Sequence, residues 1–81
     1  MDYNREILIR LFEDNGVFIN LNDFDETLEM DSITFITLVV DVENVFGIEI
    51  PENYLIYNEQ FTFKTLEDII VEITSSQGNV Q

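Results

Sequence analysis

The sequence predicts a small all-α bundle of three main helices and one short helix. Apolar residues recur at intervals of three and four, and residues typical of helix caps stand at the ends of these stretches. The chain has 81 residues, and a chain this short buries only about 60% of the surface that it exposes when unfolded. We therefore expect one modest core, with a single domain over residues 1–75 and a disordered tail over residues 76–81.

The first predicted helix extends from Asp2 to Asp14 and stops at Gly16, because glycine accepts the left-handed conformation that follows many helices. Its apolar face consists of Ile7, Leu8, Leu11 and Phe12. Residues 17–31 are predicted to form a long loop. We expect the apolar side chains of this loop to pack on the core, namely Phe18, Leu21, Phe24 and Leu28.

The second helix is predicted over residues 32–46, with Asp31 as its N-cap and Gly47 after its C-terminus. Its core face contains Phe35, Leu38, Val39, Val42, Val45 and Phe46. A second apolar row begins next to Ser32 and consists of Ile33, Ile36 and Val40. Two interpretations of this row stay open: it is a docking surface for another protein, or it is ordinary core that the preceding loop covers.

The remaining elements follow Pro51. A short helix or turn is expected over residues 52–57, and the last helix is expected to start near Thr65. The Thr65 hydroxyl is predicted to cap this helix, with Asp68 completing a weak capping box. The buried face of the helix consists of Leu66, Ile69, Ile70 and Ile73.

The composition excludes several classes of function. Seventeen acidic and three basic residues give a net charge of −14, which repels nucleic acid and attracts basic patches on other proteins. The chain has neither Cys nor His, so it lacks the preferred zinc ligands and the commonest general base. A calcium loop is not predicted, because Asp25 falls where the glycine of such a loop belongs. We therefore expect neither an enzyme nor a metal site.

Nothing in the sequence predicts export or insertion into a membrane. The opening residues, Met1-Asp2-Tyr3-Asn4, do not provide the basic segment and apolar run of a signal peptide. The longest apolar stretches are short and interrupted by acidic residues. We expect a cytoplasmic monomer that binds neither membranes nor nucleic acid.

Three short motifs follow one another along the chain. Asp31-Ser32-Ile33 opens the second helix, Glu-x-x-Phe-Gly-Ile-x-Ile-Pro runs from Glu43 to Pro51, and Thr65-Leu66 opens the last helix. This order and spacing, in an acidic chain of this length, resembles the acyl carrier and peptidyl carrier proteins. The Asp-Ser step alone is not specific, whereas its distance from the Phe-Gly-Ile-x-Ile-Pro motif is. The resemblance covers about residues 3–74.

The resemblance implies a stand-alone carrier with an acyl-carrier-like bundle that is not itself an enzyme. Ser32 would receive 4'-phosphopantetheine from coenzyme A through a phosphopantetheinyl transferase, and the thiol of that arm would hold an acyl group as a thioester. Asp31 would fix the helix start and present a carboxylate to the transferase. Loading and processing enzymes of the ligase, ketosynthase or acyltransferase type would bring basic patches to the carrier. On the carrier, the residues predicted to contact these partner enzymes are Ile33, Ile36, Val40, Asp41 and Glu43.

Some residues depart from the family pattern. Glu29 replaces a common glycine, and Thr34, Thr37 and Asn44 occupy positions where fatty-acid carriers commonly have carboxylates. These differences favour a specialised polyketide, fatty-acid-like or natural-product pathway. Two alternatives stay open. One is an aminoacyl or peptidyl carrier of a nonribosomal pathway, and the other is an unmodified acidic interaction module, for which function would survive Ser32→Ala.

Overall fold

The computed structural model describes residues 3–54 and 61–78. It contains α1 (Arg5–Asp14), α2 (Ser32–Phe46) and α3 (Phe63–Gly78), with a one-turn 3₁₀ helix at Glu52–Tyr54. The described residues include no strand, and the single bridge among them joins Thr27 to Thr62. The predicted all-α bundle of three main helices and one short helix is therefore confirmed. The short helix ends at Tyr54, and the rest of its predicted range, residues 55–57, lies outside the described residues.

Side chains close to each helix start determine where α1 and α2 begin. Asn4 Oδ1 accepts the N–H of Glu6 at 2.9 Å, so α1 begins at Arg5 and the predicted start at Asp2 was wrong. Asp31 Oδ1 accepts the N–H of Thr34 at 2.7 Å, and α2 begins at Ser32 as predicted. Gly47 ends α2 with a left-handed φ of 65°, which glycine adopts without steric cost.

The start of α3 differs from the prediction. The helix begins at Phe63, and Thr62 Oγ1 accepts the N–H of Thr65 at 3.0 Å. Thr62 thus does what was predicted for Thr65, while Asp68 pairs with Lys64 at 2.9 Å instead of completing a capping box. The helix extends to Gly78, and residues 79–81 lie outside the described residues. The division of the chain at residue 75 stays a prediction.

One core joins the three helices. The phenyl rings of Phe12 and Phe63 lie 5.3 Å apart between α1 and α3, and Phe35 meets Phe61 edge-on at 5.2 Å. Val45 is 37% exposed, so its prediction as core was wrong. The other residues of the predicted apolar faces are buried or half-buried. The centre of the core consists of Leu8, Phe12, Leu38, Val42, Leu66 and Ile70.

The loop over residues 17–31 packs through only part of its predicted apolar set. Leu28 is buried, and the ring of Phe24 lies 4.9 Å from that of Phe63. Phe18 and Leu21 are 76% and 64% exposed, so the prediction was wrong for these two residues. Val17 and Ile19 pack on the core instead, because burial alternates over residues 17–20 as in an extended chain and turns Phe18 outward. Leu21 lies in the turn that follows this extended stretch.

Candidate functional site

Ser32 is the first residue of α2, and its side chain is exposed. Asp31, immediately before it, has an extended backbone with φ −80° and ψ 170°, and caps the helix through Thr34. The first N–H groups of a helix have no carbonyl partner within it and form the positive end of the helix dipole. A phosphodiester on the Ser32 hydroxyl would lie beside these groups, where a negative charge is stabilised. The local geometry therefore fits a phosphopantetheine arm.

Asp31 contributes a fixed negative charge next to Ser32. The N–H of Thr34 and then the Thr34 hydroxyl donate to this carboxylate, and these bonds hold the pKa of Asp31 below its usual value. Asp31 is therefore ionised at neutral pH. The predicted role of Asp31 in starting α2 is confirmed, whereas its role toward a transferase stays a prediction.

The second apolar row of α2 is uncovered. Ile33, Ile36 and Val40 are 75%, 60% and 45% exposed, and we call these three residues the outer row. The interpretation in which the preceding loop covers them as core is wrong. The outer row begins at the residue after Ser32. A protein that binds around the Ser32 hydroxyl therefore also meets this apolar surface.

Asp41 and Glu43, the two carboxylates of α2 predicted to contact partners, are half-buried and each has an internal donor. Asn15 Nδ2 donates to Asp41 Oδ2 at 3.0 Å, which ties the end of α1 to the middle of α2. The N–H of buried Ile50 donates to Glu43 Oε2 at 2.8 Å, which ties the segment after α2 back onto the helix. The sequence did not predict these bonds, and contact of either carboxylate with a partner stays a prediction.

A buried carboxylate was missed from the sequence. Glu67 is only 3% exposed, and Tyr3 Oη donates to it at 2.6 Å. Arg5 donates to both of its oxygens, from Nε at 2.6 Å and from Nη2 at 2.8 Å, and Lys64 Nζ lies 3.6 Å away. The Arg5 guanidinium also lies 4.5 Å from the centre of the Phe24 ring. We call these residues around Glu67 the Glu67 cluster.

The donors around Glu67 offset the unfavourable burial of its charge. Burial by itself raises the pKa of Glu67, but the hydrogen bonds from Arg5 and Tyr3 outweigh it, so the net pKa of Glu67 lies below its usual value. Burial, followed by the bond to Glu67, raises the pKa of the Tyr3 hydroxyl. The only sequence signal for this cluster is that Glu67 interrupts the apolar face of α3 between Leu66 and Ile70.

The Glu67 cluster is remote from Ser32. The ring of Tyr3 lies 5.7 Å from that of Phe46, the last residue of α2, whereas Ser32 is the first residue of the same helix. At about 1.5 Å per residue, the two ends of α2 are about 21 Å apart. The cluster therefore joins α1 to α3 and contributes nothing directly to chemistry at Ser32.

The described part of the chain offers neither a metal site nor a membrane span. No group of three or more carboxylates there is arranged to hold a metal ion. Over the same residues, no helix combines the length and apolar character needed to cross a bilayer.

Comparisons with other proteins agree with this site. Residues 5–71 match the family described as a phosphopantetheine attachment site. Acyl carrier proteins of Renibacterium salmoninarum and an Arthrobacter species are 37% identical over 55 residues, which cover 68% of this chain and 62% of each relative. The acyl carrier protein of Micrococcus luteus is 35% identical over the same coverage.

The alignment thus spans less than two thirds of the length of these relatives. No solved structure matches the chain at a significant level. The family match nevertheless covers most of the chain and includes the exposed Ser32 with its cap Asp31. The chain therefore belongs to the family of phosphopantetheine-binding carrier proteins.

Proposed function

We propose that this protein is an acyl carrier whose 4'-phosphopantetheine arm is attached to Ser32. The observation that carries the proposal is the exposed Ser32 placed directly after the N-cap Asp31, within the stretch that matches the family. The relatives from three bacteria are acyl carrier proteins, which supports an acyl group as the cargo. Such a protein carries a group between enzymes and is not itself an enzyme.

Attachment requires little of the carrier beyond access and orientation. The Ser32 hydroxyl loses its proton and forms a new phosphate ester to the phosphopantetheine of coenzyme A, with adenosine 3',5'-bisphosphate as the leaving group. When bound, the arm supplies the terminal thiol that forms the thioester, and the chain itself contains no cysteine. Asp31 fixes the backbone at the start of α2 by capping the helix, so Ser32 is held at an exposed position that the transferase can reach.

The outer row supplies the apolar part of the docking surface for partner enzymes. These partners are the phosphopantetheinyl transferase and the acyl-loading and acyl-processing enzymes of the ligase, ketosynthase or acyltransferase type. The exposure of Ile33, Ile36 and Val40 next to Ser32 supports this assignment. The net charge of −14 favours fast encounter with basic patches, and we expect the carrier to act as a monomer.

The pathway is proposed to be a specialised one, of the polyketide, fatty-acid-like or natural-product type. The second helix of this chain carries Thr37 and Asn44 at exposed positions where fatty-acid carriers commonly have carboxylates. An enzyme that recognises such carboxylates gains little from this surface.

Intact-mass measurement tests the attachment. The purified chain is incubated with coenzyme A and a broad-specificity phosphopantetheinyl transferase, beside Ser32→Ala and the control Ser75→Ala, which removes another exposed helix serine. The wild type and Ser75→Ala should gain one phosphopantetheine group, and Ser32→Ala should gain none. No gain in the wild type, with a reference carrier modified in parallel, would instead favour an unmodified interaction module.

A further inference from the structure

Charge is distributed unequally between α2 and the loop that leads into it. Every exposed side chain of α2 is uncharged, because the only two carboxylates of this helix are half-buried and bonded to Asn15 and Ile50. The loop before Ser32 is the opposite case. Its carboxylates are all exposed, at Asp23, Asp25, Glu26, Glu29 and Asp31.

The internal bonds keep the carboxylates of α2 from turning outward. Ile50 is 5% exposed, and its N–H has Glu43 Oε2 as its acceptor. Rotation of Glu43 toward a partner would leave this buried N–H without an acceptor, which is unfavourable. Asp41 accepts a hydrogen bond from Asn15 Nδ2 at the junction between α1 and α2; this constraint is weaker, because Asn15 is half-buried and also donates to the Leu11 carbonyl.

We propose that partner enzymes receive α2 in an uncharged apolar groove, and that their basic residues face only the loop segment over residues 23–31. The inference rests on the proposed function, since Ser32 lies at the boundary between the two surfaces. In place of the docking role predicted from the sequence, Asp41 and Glu43 serve the fold. Complementarity decides the chemistry of the partner, because an apolar row is matched by apolar side chains and exposed carboxylates are matched by Lys or Arg.

This arrangement determines which enzymes accept the carrier. A partner with a row of Lys or Arg along its groove finds on α2 only two half-buried carboxylates that already accept internal hydrogen bonds, and leaves most of those cations desolvated and unpaired. A partner with an apolar groove and a basic rim matches both surfaces. The charged contacts weaken as salt screens them, whereas the apolar contacts do not.

The test measures kcat/KM for modification of the 81-residue chain by a broad-specificity phosphopantetheinyl transferase with coenzyme A, at low and at high salt. Ile36→Ala removes apolar area from the outer row. Asp25→Asn with Glu29→Gln removes two exposed loop charges without disturbing the cap at Asp31. Asp41→Asn with Glu43→Gln is the matched pair on α2, since each amide oxygen can still accept the internal hydrogen bond. Circular dichroism melts confirm that each variant is folded.

We expect Ile36→Ala to lower kcat/KM about tenfold at both salt concentrations. The loop pair should lower it about fivefold at low salt and flatten the salt dependence, while the α2 pair should lower it by about twofold or less and keep the wild-type salt dependence. A larger loss and a flatter salt dependence for the α2 pair than for the loop pair would overturn this inference alone. Absence of modification of the wild type, beside a modified reference carrier, would overturn the proposed function and this inference with it.

Discussion

The two ends of α2 use polar groups in opposite ways. Near Phe46, the Glu67 cluster removes a carboxylate from water and surrounds it with donors from Tyr3, Arg5 and Lys64. At the other end, Ser32 is exposed, and the outer row beside it is uncovered. The comparison teaches that this small bundle buries a bonded carboxylate where α1 meets α3 and leaves the Ser32 end of α2 accessible.

The difference follows from the energetics of burial. A buried carboxylate is strongly unfavourable unless it is paired and hydrogen-bonded, so Glu67 can occupy the interior only with its donors in place. Two of the three basic residues of the chain, Arg5 and Lys64, are used for this purpose. An exposed serine requires no such compensation, because water can satisfy its hydroxyl.

The largest expected effect contrasts the two faces of α2. Leu38 is fully buried, so Leu38→Ala should lower the free energy of unfolding by about 2–5 kcal/mol. Ile36, which is 60% exposed on the outer row, should lose less than about 1 kcal/mol on the same change. Urea unfolding followed by circular dichroism measures both values. Equal losses would mean that the outer row is packed in solution and is not a free surface.

Removing the central carboxylate of the Glu67 cluster should have the next largest effect. Glu67→Ala leaves the half-buried Tyr3 hydroxyl and the Arg5 guanidinium without their shared acceptor, and should lower the free energy of unfolding by about 2 kcal/mol. The matched control is Asp68→Ala, because the Asp68 side chain is next to Glu67 in sequence but is 63% exposed. This variant should lose less than about 0.5 kcal/mol of unfolding free energy. Similar melting temperatures for the two variants would contradict a structural role for the cluster.

A smaller effect is expected at Glu43. Glu43→Ala removes the acceptor of the buried Ile50 N–H and should cost about 1 kcal/mol, whereas Glu43→Gln keeps an oxygen there and should cost less. Native-state hydrogen exchange gives a direct measurement, because the Ile50 amide should lose protection in Glu43→Ala. Unchanged protection in that variant would show that another acceptor satisfies this amide.

The smallest effect is a change in pH dependence. The folded state holds the pKa of Glu67 below its unfolded value of about 4.3, so the stabilisation is complete above that value and is lost as the pH falls through the folded pKa. Glu67→Gln cannot titrate, so its melting temperature should decrease less steeply between neutral and acidic pH. A steeper decrease than in the wild type would mean that the fold raises this pKa instead of lowering it.

Local chemistry was sufficient to predict α2, whereas Ser32 was predicted as the candidate site through the resemblance to the carrier family. Asp31 as N-cap, Ser32 as first residue and Gly47 as terminator all act within a few residues of the chain, so their effect is visible in the sequence. The spacing of Leu38 and Val42 likewise predicts the buried face. The same local rules failed for α3, because Thr62 and Thr65 offer equivalent capping groups and the helix starts after the earlier one, at the buried Phe63.

The sequence by itself determined the three helices, the acidic surface and the serine that follows an N-cap. Only the tertiary structure decided that Phe18 and Leu21 are exposed, that the outer row is uncovered, and that Asp41 and Glu43 have internal donors. The tertiary structure also brings together the Glu67 cluster, in which Arg5 bonds a carboxylate 62 residues further along the chain. The physical reason is that caps and helical periodicity act between near neighbours, whereas burial and the pairing of charges depend on how distant segments pack.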